Sequence, residues 1–507
     1  MSLFKAMATV AGITGLSRIA GFTRDIIMAS ILGAGPVADA FFVALKLPNF
    51  FRKVTAEGAF SVSFVPLYSE IMEKEGKERA DVFASRMFSI MFCLLAVLTV
   101  IFMIAMPLII YLIAPGFHED PERYDMAVDM SLITFPYLFL MSLTALLGGV
   151  LNARNRFAPF AFAPVLFNVT LIVALLLSDW FENAGYALSW GVLAAGVIQL
   201  VFLYISTRGV GVHIGFSMPY FSNNAKTVFK RMGPGIIGAG VLQINLFADL
   251  IIASFLTEGA ISYLYYADRL NQLPLGVIGI AVGTALLPML SKEMAAQNTA
   301  KAKDLFNRAL EVCLLLGLPA AVALFVVPHF LVSALFERGA FESADTYYTG
   351  YVLMGYAFGL PAYIGVKVLS TTFWARGDTK TPVKTAIIAT IANIILGIIL
   401  SRFIGVAGIA VATGIAGWLQ YVLLNRKLDA DLSYDKQLTV NFPKIVISSL
   451  VMAAFLYGFA VYVVPYIPYG ILNLILLVVF GMVVYAGCIF AFKVVKISEL
   501  KQYFRRK

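Results

Sequence analysis

Val10-Ala-Gly-Ile-Thr-Gly-Leu-Ser-Arg-Ile-Ala-Gly-Phe-Thr-Arg-Asp-Ile-Ile-Met-Ala-Ser-Ile-Leu32 and Ala38-Asp-Ala-Phe-Phe-Val-Ala-Leu-Lys-Leu-Pro-Asn-Phe-Phe-Arg-Lys53 are apolar enough to enter a bilayer. Yet together they carry Arg18, Arg24, Lys46, Arg52 and Lys53. A single Arg or Lys at mid-membrane costs about 3 kcal/mol on insertion scales, so five facing lipid would cost roughly 15 kcal/mol. These side chains are therefore expected to line a hydrated cavity or to meet an anion. The sequence reads as a membrane protein built to accommodate negative charge.

The rest of the chain agrees. Its 507 residues are 60% hydrophobic and only 13% charged, with a mean hydropathy of +0.87. A soluble protein carries about 25% charged residues. Apolar runs long enough to cross about 30 Å of hydrocarbon recur along the length. They number fourteen, from roughly 8–32 and 37–68 at the start to 443–465 and 470–492 at the end, so an all-α polytopic membrane protein with 14 transmembrane helices is expected.

The net charge of +9 does not point to nucleic acid, because the cations gather in alternate loops. Lys74, Lys77, Arg79 and Arg86 form one cluster; Arg208, Lys226, Lys230 and Arg231 form another, and the tail from Lys493 to Lys507 a last one. The intervening loops hold only Arg123, Arg338 and Arg402. Cytoplasmic loops are enriched in Lys and Arg, which places both termini in the cytoplasm, as an even helix count requires. Cys93, Cys313 and Cys488 all fall in expected spans and read as small hydrophobes rather than a disulfide framework.

Sliding the sequence over itself by 222 residues brings Pro66 onto Pro288, Ser69 onto Ser291, Arg86 onto Arg308 and Ala153-Arg154 onto Ala375-Arg376. At 224, Asp25-Ile-Ile-Met-Ala-Ser-Ile-Leu32 falls on Asp249-Leu-Ile-Ile-Ala-Ser-Phe-Leu256. An offset of six helices preserves orientation, so the expectation is two parallel six-helix repeats plus two extra C-terminal helices. Parallel repeats of this kind are a transporter signature. The expected domains are an N-lobe at 1–206, a cytoplasmic linker at 207–231, a C-lobe at 232–428, and helices 13–14 with a basic tail at 429–507. The repeat also provides an internal control. Arg18 and Arg24 fall on Leu242 and Ala248, so the fold does not demand a cation at either place. Asp25 and Asp249 do match, as a structural carboxylate would.

Guanidinium groups fork onto phosphate oxygens and stay ionised when poorly hydrated, which suits a phosphate or pyrophosphate better than a cationic drug. The candidate substrate ligands are Arg18, Arg24, Lys46, Asn49, Arg52 and Arg269. The acids Asp25, Asp39, Glu57 and Asp268 are candidates for charge pairing or gating; the bland alternative is that all these groups only tie helices together. Asp39, Lys46 and Lys53 are spaced by sevens and share a helix face, and Pro48 removes a backbone hydrogen bond beside Asn49 and Arg52. Asn245 and Asp249 are four apart on one face. With Asn393 and Thr413 they form a candidate coupling-ion site, against the alternative of a hydrogen-bonded packing motif. A phosphate-binding Gly-x4-Gly-Lys-Ser/Thr loop is missing, so no cofactor is expected and an ion or membrane-potential gradient is the expected drive. The three histidines make no metal-ligand or triad pattern, and the expectation is a transporter, not an enzyme.

Several motifs follow one another in a specific order: Arg-x2-Gly-x2-Arg-Asp ending at Asp25, Asp-Ala-Phe-Phe-Val-Ala at Asp39–Ala44, Lys-Leu-Pro-Asn-x2-Arg at Lys46–Arg52 and Ala-Glu-Gly-Ala-Phe at Ala56–Phe60. Leu-Asn-x3-Arg-Phe at Leu151–Phe157, Tyr-Tyr-Ala-Asp-Arg-Leu at Tyr265–Leu270 and Lys-Thr-Pro-Val-Lys at Lys380–Lys384 come later. This series resembles the MurJ/MviN family of lipid II flippases within the MOP exporter superfamily, over at least residues 10–385. The resemblance implies export of the undecaprenyl-pyrophosphate-linked peptidoglycan precursor, lipid II, across the bacterial cytoplasmic (inner) membrane by alternating access. It implies a central cationic cavity containing Arg18, Arg24, Arg52 and Arg269 accompanied by Asp39, and a lipid-tail groove at helices 13 and 14. Cell-wall synthesis machinery is the expected partner besides lipid II and the membrane; nucleic acid is not. A different polyprenyl-linked glycan exporter, a multidrug/cation antiporter and a non-transporting scaffold are the competing readings. The excess of intramembrane cations argues against the antiporter, and the scaffold leaves those charges unexplained.

Overall fold

In hydrocarbon a backbone N–H or C=O has no water to turn to, so each apolar run must satisfy its own groups as a helix. The computed structural model describes residues 3–53, 60–466 and 470–495, and among these it contains helices and turns but no strand. Ten helical segments among the described residues are long and apolar enough to cross a membrane. The chain divides into two compact units, Met1–Ser262 with Arg338–Phe341, and Tyr263–Glu337 with Glu342–Lys507.

In unit 1 the helices are α1 (Leu3–Leu32), α2 (Pro36–Phe51), α3 (Ser61–Lys74), α4 (Lys77–Ile104), α5 (Met106–Ile113), α6 (Pro121–Thr134), α7 (Tyr137–Ala153), α8 (Ala158–Leu176), α9 (Ala184–Gly209) and α10 (Asn223–Ser254). Prolines sit in the first turn of α2, α5, α6 and α8, where the missing N–H has no partner to lose. Asp120, Asn183 and Ser222 cap α6, α9 and α10 by accepting from first-turn amides. Within the expected span 37–68, α2 ends at Phe51 and α3 begins at Ser61, Arg52, Lys53 and Phe60 are π-helical, and residues 54–59 lie outside the described residues. A core of Phe64, Tyr68, Phe83, Met87, Leu146 and Val150 joins α3, α4 and α7, with the Phe64 and Phe83 rings stacked at 5.6 Å. Among the described glycines, Gly116 and Gly339 are held against backbone too closely for a side chain. A Cβ at Gly116 would lie 2.2 Å from the Ser254 carbonyl oxygen, and one at Gly339 would lie 2.2 Å from that of Ser30.

The unit boundary falls inside α11 (Ala260–Ala281), which passes through a π-helical turn at Val282–Leu286 into α12 (Leu287–Ala295). Unit 2 continues with α13 (Thr299–Val326), α14 (Pro328–Phe336), α15 (Ser343–Ala375), α16 (Lys380–Ile404), α17 (Val406–Arg426), α18 (Lys436–Tyr462) and α19 (Gly470–Ala491). Its core gathers Leu290, Phe306, Leu310, Leu360, Ile364 and Leu369. A separate cluster of Val327, Leu331, Leu456, Phe459 and Leu477 fixes α18 and α19 beside α14. A capping box of Glu342 and Asp345 starts α15.

Candidate functional site

The charged residues of α1 fall into two kinds. Arg24 is buried, and its Nε and Nη2 donate to Asp25 Oδ1 at 3.1 and 2.6 Å. Its Nη1 donates to Asn168 Oδ1 of α8 at 2.9 Å. Asn168 is held in turn, its amide donating to the carbonyls of Ser17 at 3.2 Å and Pro164 at 2.9 Å. Arg18 is different: it is exposed on α1, and no ion pair to it occurs among the described residues. It stands one turn from Thr14, which with Val10, Met141, Asn152, Phe157 and Phe160 lines a cavity of about 280 Å³.

Asp39, at the start of α2, is wholly buried and accepts four hydrogen bonds. Arg123 Nη2 donates to Oδ2 at 2.5 Å and the Gly259 amide to the same oxygen at 2.8 Å. The Ser262 amide and hydroxyl donate to Oδ1 at 2.8 and 2.6 Å. The carboxylate thus satisfies first-turn donors of α11 that no helical carbonyl reaches. Arg123 also packs its guanidinium carbon 3.8 Å from the centroid of the Phe117 ring. Sequence reasoning assigns Arg123 to a loop, and the structure corrects this. Asp120 accepts from the Arg123 amide at 3.2 Å, so α6 starts at Pro121 and carries Arg123 into the packed interior.

Further along α2, Lys46 and Asn49 are half-buried on either side of Pro48, and Arg52 is half-buried at the helix end, while Lys53 is exposed. Glu57 lies outside the described residues. In α11, Arg269 Nη2 donates to Tyr265 Oη at 3.0 Å, and its guanidinium carbon lies 4.5 Å from the Tyr265 ring centroid, which fixes the plane of the fork. Asp268 accepts from Gln272 one turn on. The coupling-ion candidates are spread over three helices. Asn245 and Asp249 are half-buried on α10 in unit 1; Asn393 is buried on α16 and Thr413 half-buried on α17 in unit 2. The Thr413 hydroxyl donates to the Ile409 carbonyl of its own helix at 2.9 Å.

The structure therefore brings Arg24 to Asp25 and Asp39 to Arg123. It adds two residues that sequence reasoning did not name as site residues, Asn168 and Arg123. Nothing local marks Asn168, a lone amide in an apolar helix. Arg123 was legible from Asp120-Pro121, a helix start three residues before it.

The family model described as "Lipid II flippase MurJ" matches residues 28–480. The protein of Rhizobium meliloti (strain 1021) called "Probable lipid II flippase MurJ" is 43% identical over 465 residues, covering 90% of this chain and 86% of that one. The "Lipid II flippase MurJ" of Burkholderia cenocepacia is 35% identical over 434 residues, covering 84% and 83%. Among solved structures, "Lipid II flippase MurJ, inward closed conformation" superposes with a TM-score of 0.80 at 30% identity, covering 95% of this chain and 98% of that one. An inward-facing multidrug resistance MATE transporter of the MOP superfamily superposes with a TM-score of 0.66 at 15% identity, covering 82% and 95%, a likeness of fold alone. With an ordered set of charged motifs, a helical membrane fold and relatives matched along nearly their whole length, the chain belongs to the lipid II flippase MurJ family.

Proposed function

We propose that this chain carries lipid II from the cytoplasmic to the outer leaflet of the bacterial inner membrane by alternating access. One observation carries the reading beyond family membership: cations are set into apolar helices α1, α2 and α11, where a pyrophosphate is the partner that best repays their desolvation. Arg18, Arg24, Lys46, Asn49, Arg52 and Arg269 are the proposed ligands of the pyrophosphate and head group. Arg18, exposed, and Arg269, oriented by Tyr265, are the first contacts. Arg24 joins when the anion displaces Asp25. A bound anion shifts the protein between states only through different affinities for them, so the ligands are proposed to close more tightly in one state.

The finer layout is part of the same proposal: fourteen membrane helices, two six-helix repeats forming lobes at 1–206 and 232–428, two added helices, and both termini in the cytoplasm. Support comes from α4 and α13, each 28 residues long, and from Arg154 and Arg376, each at a helix C-cap. An ion or membrane-potential gradient supplies the drive, with Asp249, Asn245, Asn393 and Thr413 as the proposed ion ligands, and cell-wall synthesis enzymes receive the product.

The test is outward movement of labelled lipid II in proteoliposomes under proton and sodium gradients, for the parent chain and for Arg18→Ala, Arg24→Ala and Arg269→Ala. Movement by the parent with a loss of at least about tenfold in each variant is expected. Normal rates in all three variants would sink the ligand assignment, and no movement by the parent would sink the substrate. Loss of gradient dependence in Asp249→Ala is expected; retention removes Asp249 from the ion site.

A further inference from the structure

Residues 210–222 connect α9 to α10 and read Val-Gly-Val-His-Ile-Gly-Phe-Ser-Met-Pro-Tyr-Phe-Ser. The first part is tied down. Val212 and Ile214 are buried in the core shared with α3, α4 and α7, and the amides of Gly215 and Ser217 donate to the hydroxyls of Ser85 and Ser89 on α4 at 3.4 and 2.9 Å. The second part is not covered. Phe216, Met218, Tyr220 and Phe221 are 64%, 90%, 66% and 51% exposed. Four large apolar or aromatic side chains within six residues form a patch of the kind that marks an interaction surface.

Its position along α4 identifies what it meets. Ser89 lies about 18 Å along the helix from Lys77 at 1.5 Å per residue. That first stretch holds Lys77, Arg79 and Arg86, while from Met87 to Ile104 α4 has no charged residue. The connector is thus pinned where α4 changes from charged to apolar. Its Phe216 ring meets Phe92 of α4 edge-on at 5.5 Å. Beyond Phe92 the outer side of α4 continues as exposed Leu94, Val97 and Ile101, the surface of a membrane-crossing segment. Cations flank the patch on both sides. Arg208 ends α9, stacked 4.9 Å over Tyr204, and exposed Lys226, Lys230 and Arg231 lie on the first turns of α10. Aromatic side chains at the depth where a span begins, rimmed by cations, match the boundary between phosphates and acyl chains.

We propose that residues 216–221 are an interfacial anchor. Phe216, Met218, Tyr220 and Phe221 enter the headgroup–acyl boundary, and Arg208, Lys226, Lys230 and Arg231 contact the phosphates of anionic phospholipid in the same leaflet. The anchor is independent of what the protein transports.

The experiment uses the full chain with its three cysteines replaced, bearing one nitroxide at His213→Cys, Met218→Cys or Phe221→Cys, in nanodiscs with and without phosphatidylglycerol. Collision with oxygen and with a water-soluble nickel chelate reports depth. Labels at 218 and 221 are expected to favour oxygen, and the label at exposed 213 to favour the chelate. Labels at 218 and 221 as accessible to the chelate as the one at 213 would overturn the anchor. So would labels shielded from both reagents, which report cover by protein. In the second arm, native mass spectrometry follows retained phosphatidylglycerol in Lys226→Gln, Lys230→Gln and the double variant. Each cation removed is expected to weaken retention by about fivefold, the equivalent of about 1 kcal/mol per basic residue near an anionic surface. Unchanged retention would overturn the phosphate contacts.

Discussion

After α9 the chain lies against α4 through two serine hydroxyls; after α17 it lies against α13 through a carboxylate, a guanidinium and amides. The docking positions correspond, since Ser85 and Ser89 fall on Asn307 and Glu311 at the 222-residue offset. In unit 2, Asn307 accepts from the Asp435 amide at 3.0 Å and donates to the Ser433 carbonyl at 3.3 Å. Glu311 accepts from Asn441 at 2.5 Å and pairs with Arg308, which also pairs with Asp435. The second connector, Lys427-Leu-Asp-Ala-Asp-Leu-Ser-Tyr-Asp435, is polar, whereas the first turns Phe216, Met218, Tyr220 and Phe221 outward. The difference teaches that helix position dictates where a connector is held, and that side-chain chemistry decides how firmly. Neutral hydrogen bonds contribute about 1 kcal/mol each, whereas breaking a largely buried ionic cluster costs more.

The largest effect expected from this contrast is at Glu311. Removing its carboxylate in Glu311→Ala leaves Asn441 without its acceptor and Arg308 with one carboxylate partner fewer, at a cost of about 2 kcal/mol. Ser89→Ala, at the matching place in α4, is expected to cost only about 1 kcal/mol. Denaturant unfolding in detergent micelles compares them, and equal losses would break the contrast. Next come the caps that end each connector, Ser222 on α10 and Asp435 on α18. Ser222→Ala should cost about 1 kcal/mol. Asp435→Ala should cost more, because it also removes one of the carboxylate partners of Arg308, and amide exchange at Ala225 and Leu438 reads the two ends separately.

The smallest effect is a pH dependence confined to one of two matching turns. The turn after α7 closes with the Arg156 amide on the Leu151 carbonyl, and the turn after α15 with the Asp378 amide on the Phe373 carbonyl. Asn155 and Gly377, 222 residues apart, take the left-handed conformation in each. Only the second turn then supplies a carboxylate to the next helix. Thr381 and Lys380 donate to Asp378 and hold it below the ordinary carboxylate range. A lowered folded value means that the cap's contribution is complete above the unfolded carboxylate range and is lost as pH falls through the lowered value. Amide exchange at Lys380 and Thr381 should quicken on acidification, while the start of α8, after Arg156, stays unchanged. Parallel responses at the two helices would remove the distinction.

Much of the fold was legible because burial in a membrane leaves a long apolar signature. The expected apolar runs are largely helical among the described residues, some of them covered by two helices, and the matched Ala-Arg pairs stand at the ends of α7 and α15. Charge in apolar helices was equally legible, since Arg24 and Asp39 stand out against their neighbours. What composition does not contain is the partner. Arg24 reaches across 144 residues to Asn168 and Asp39 across 223 to Ser262, and such pairings are set by tertiary packing rather than by any local period.

The pairing of Arg24 with its own neighbour bears on the empty carrier. A guanidinium already neutralised by Asp25 leaves no bare positive charge at Arg24, so under the proposed ligand assignment Arg24 would need no recruited counter-ion when the unloaded protein resets. Under the proposed ligand assignment, an arriving pyrophosphate would swap with Asp25 on Arg24 rather than fill a vacancy, and the carboxylate that yields on entry would be the group that returns as the cargo leaves.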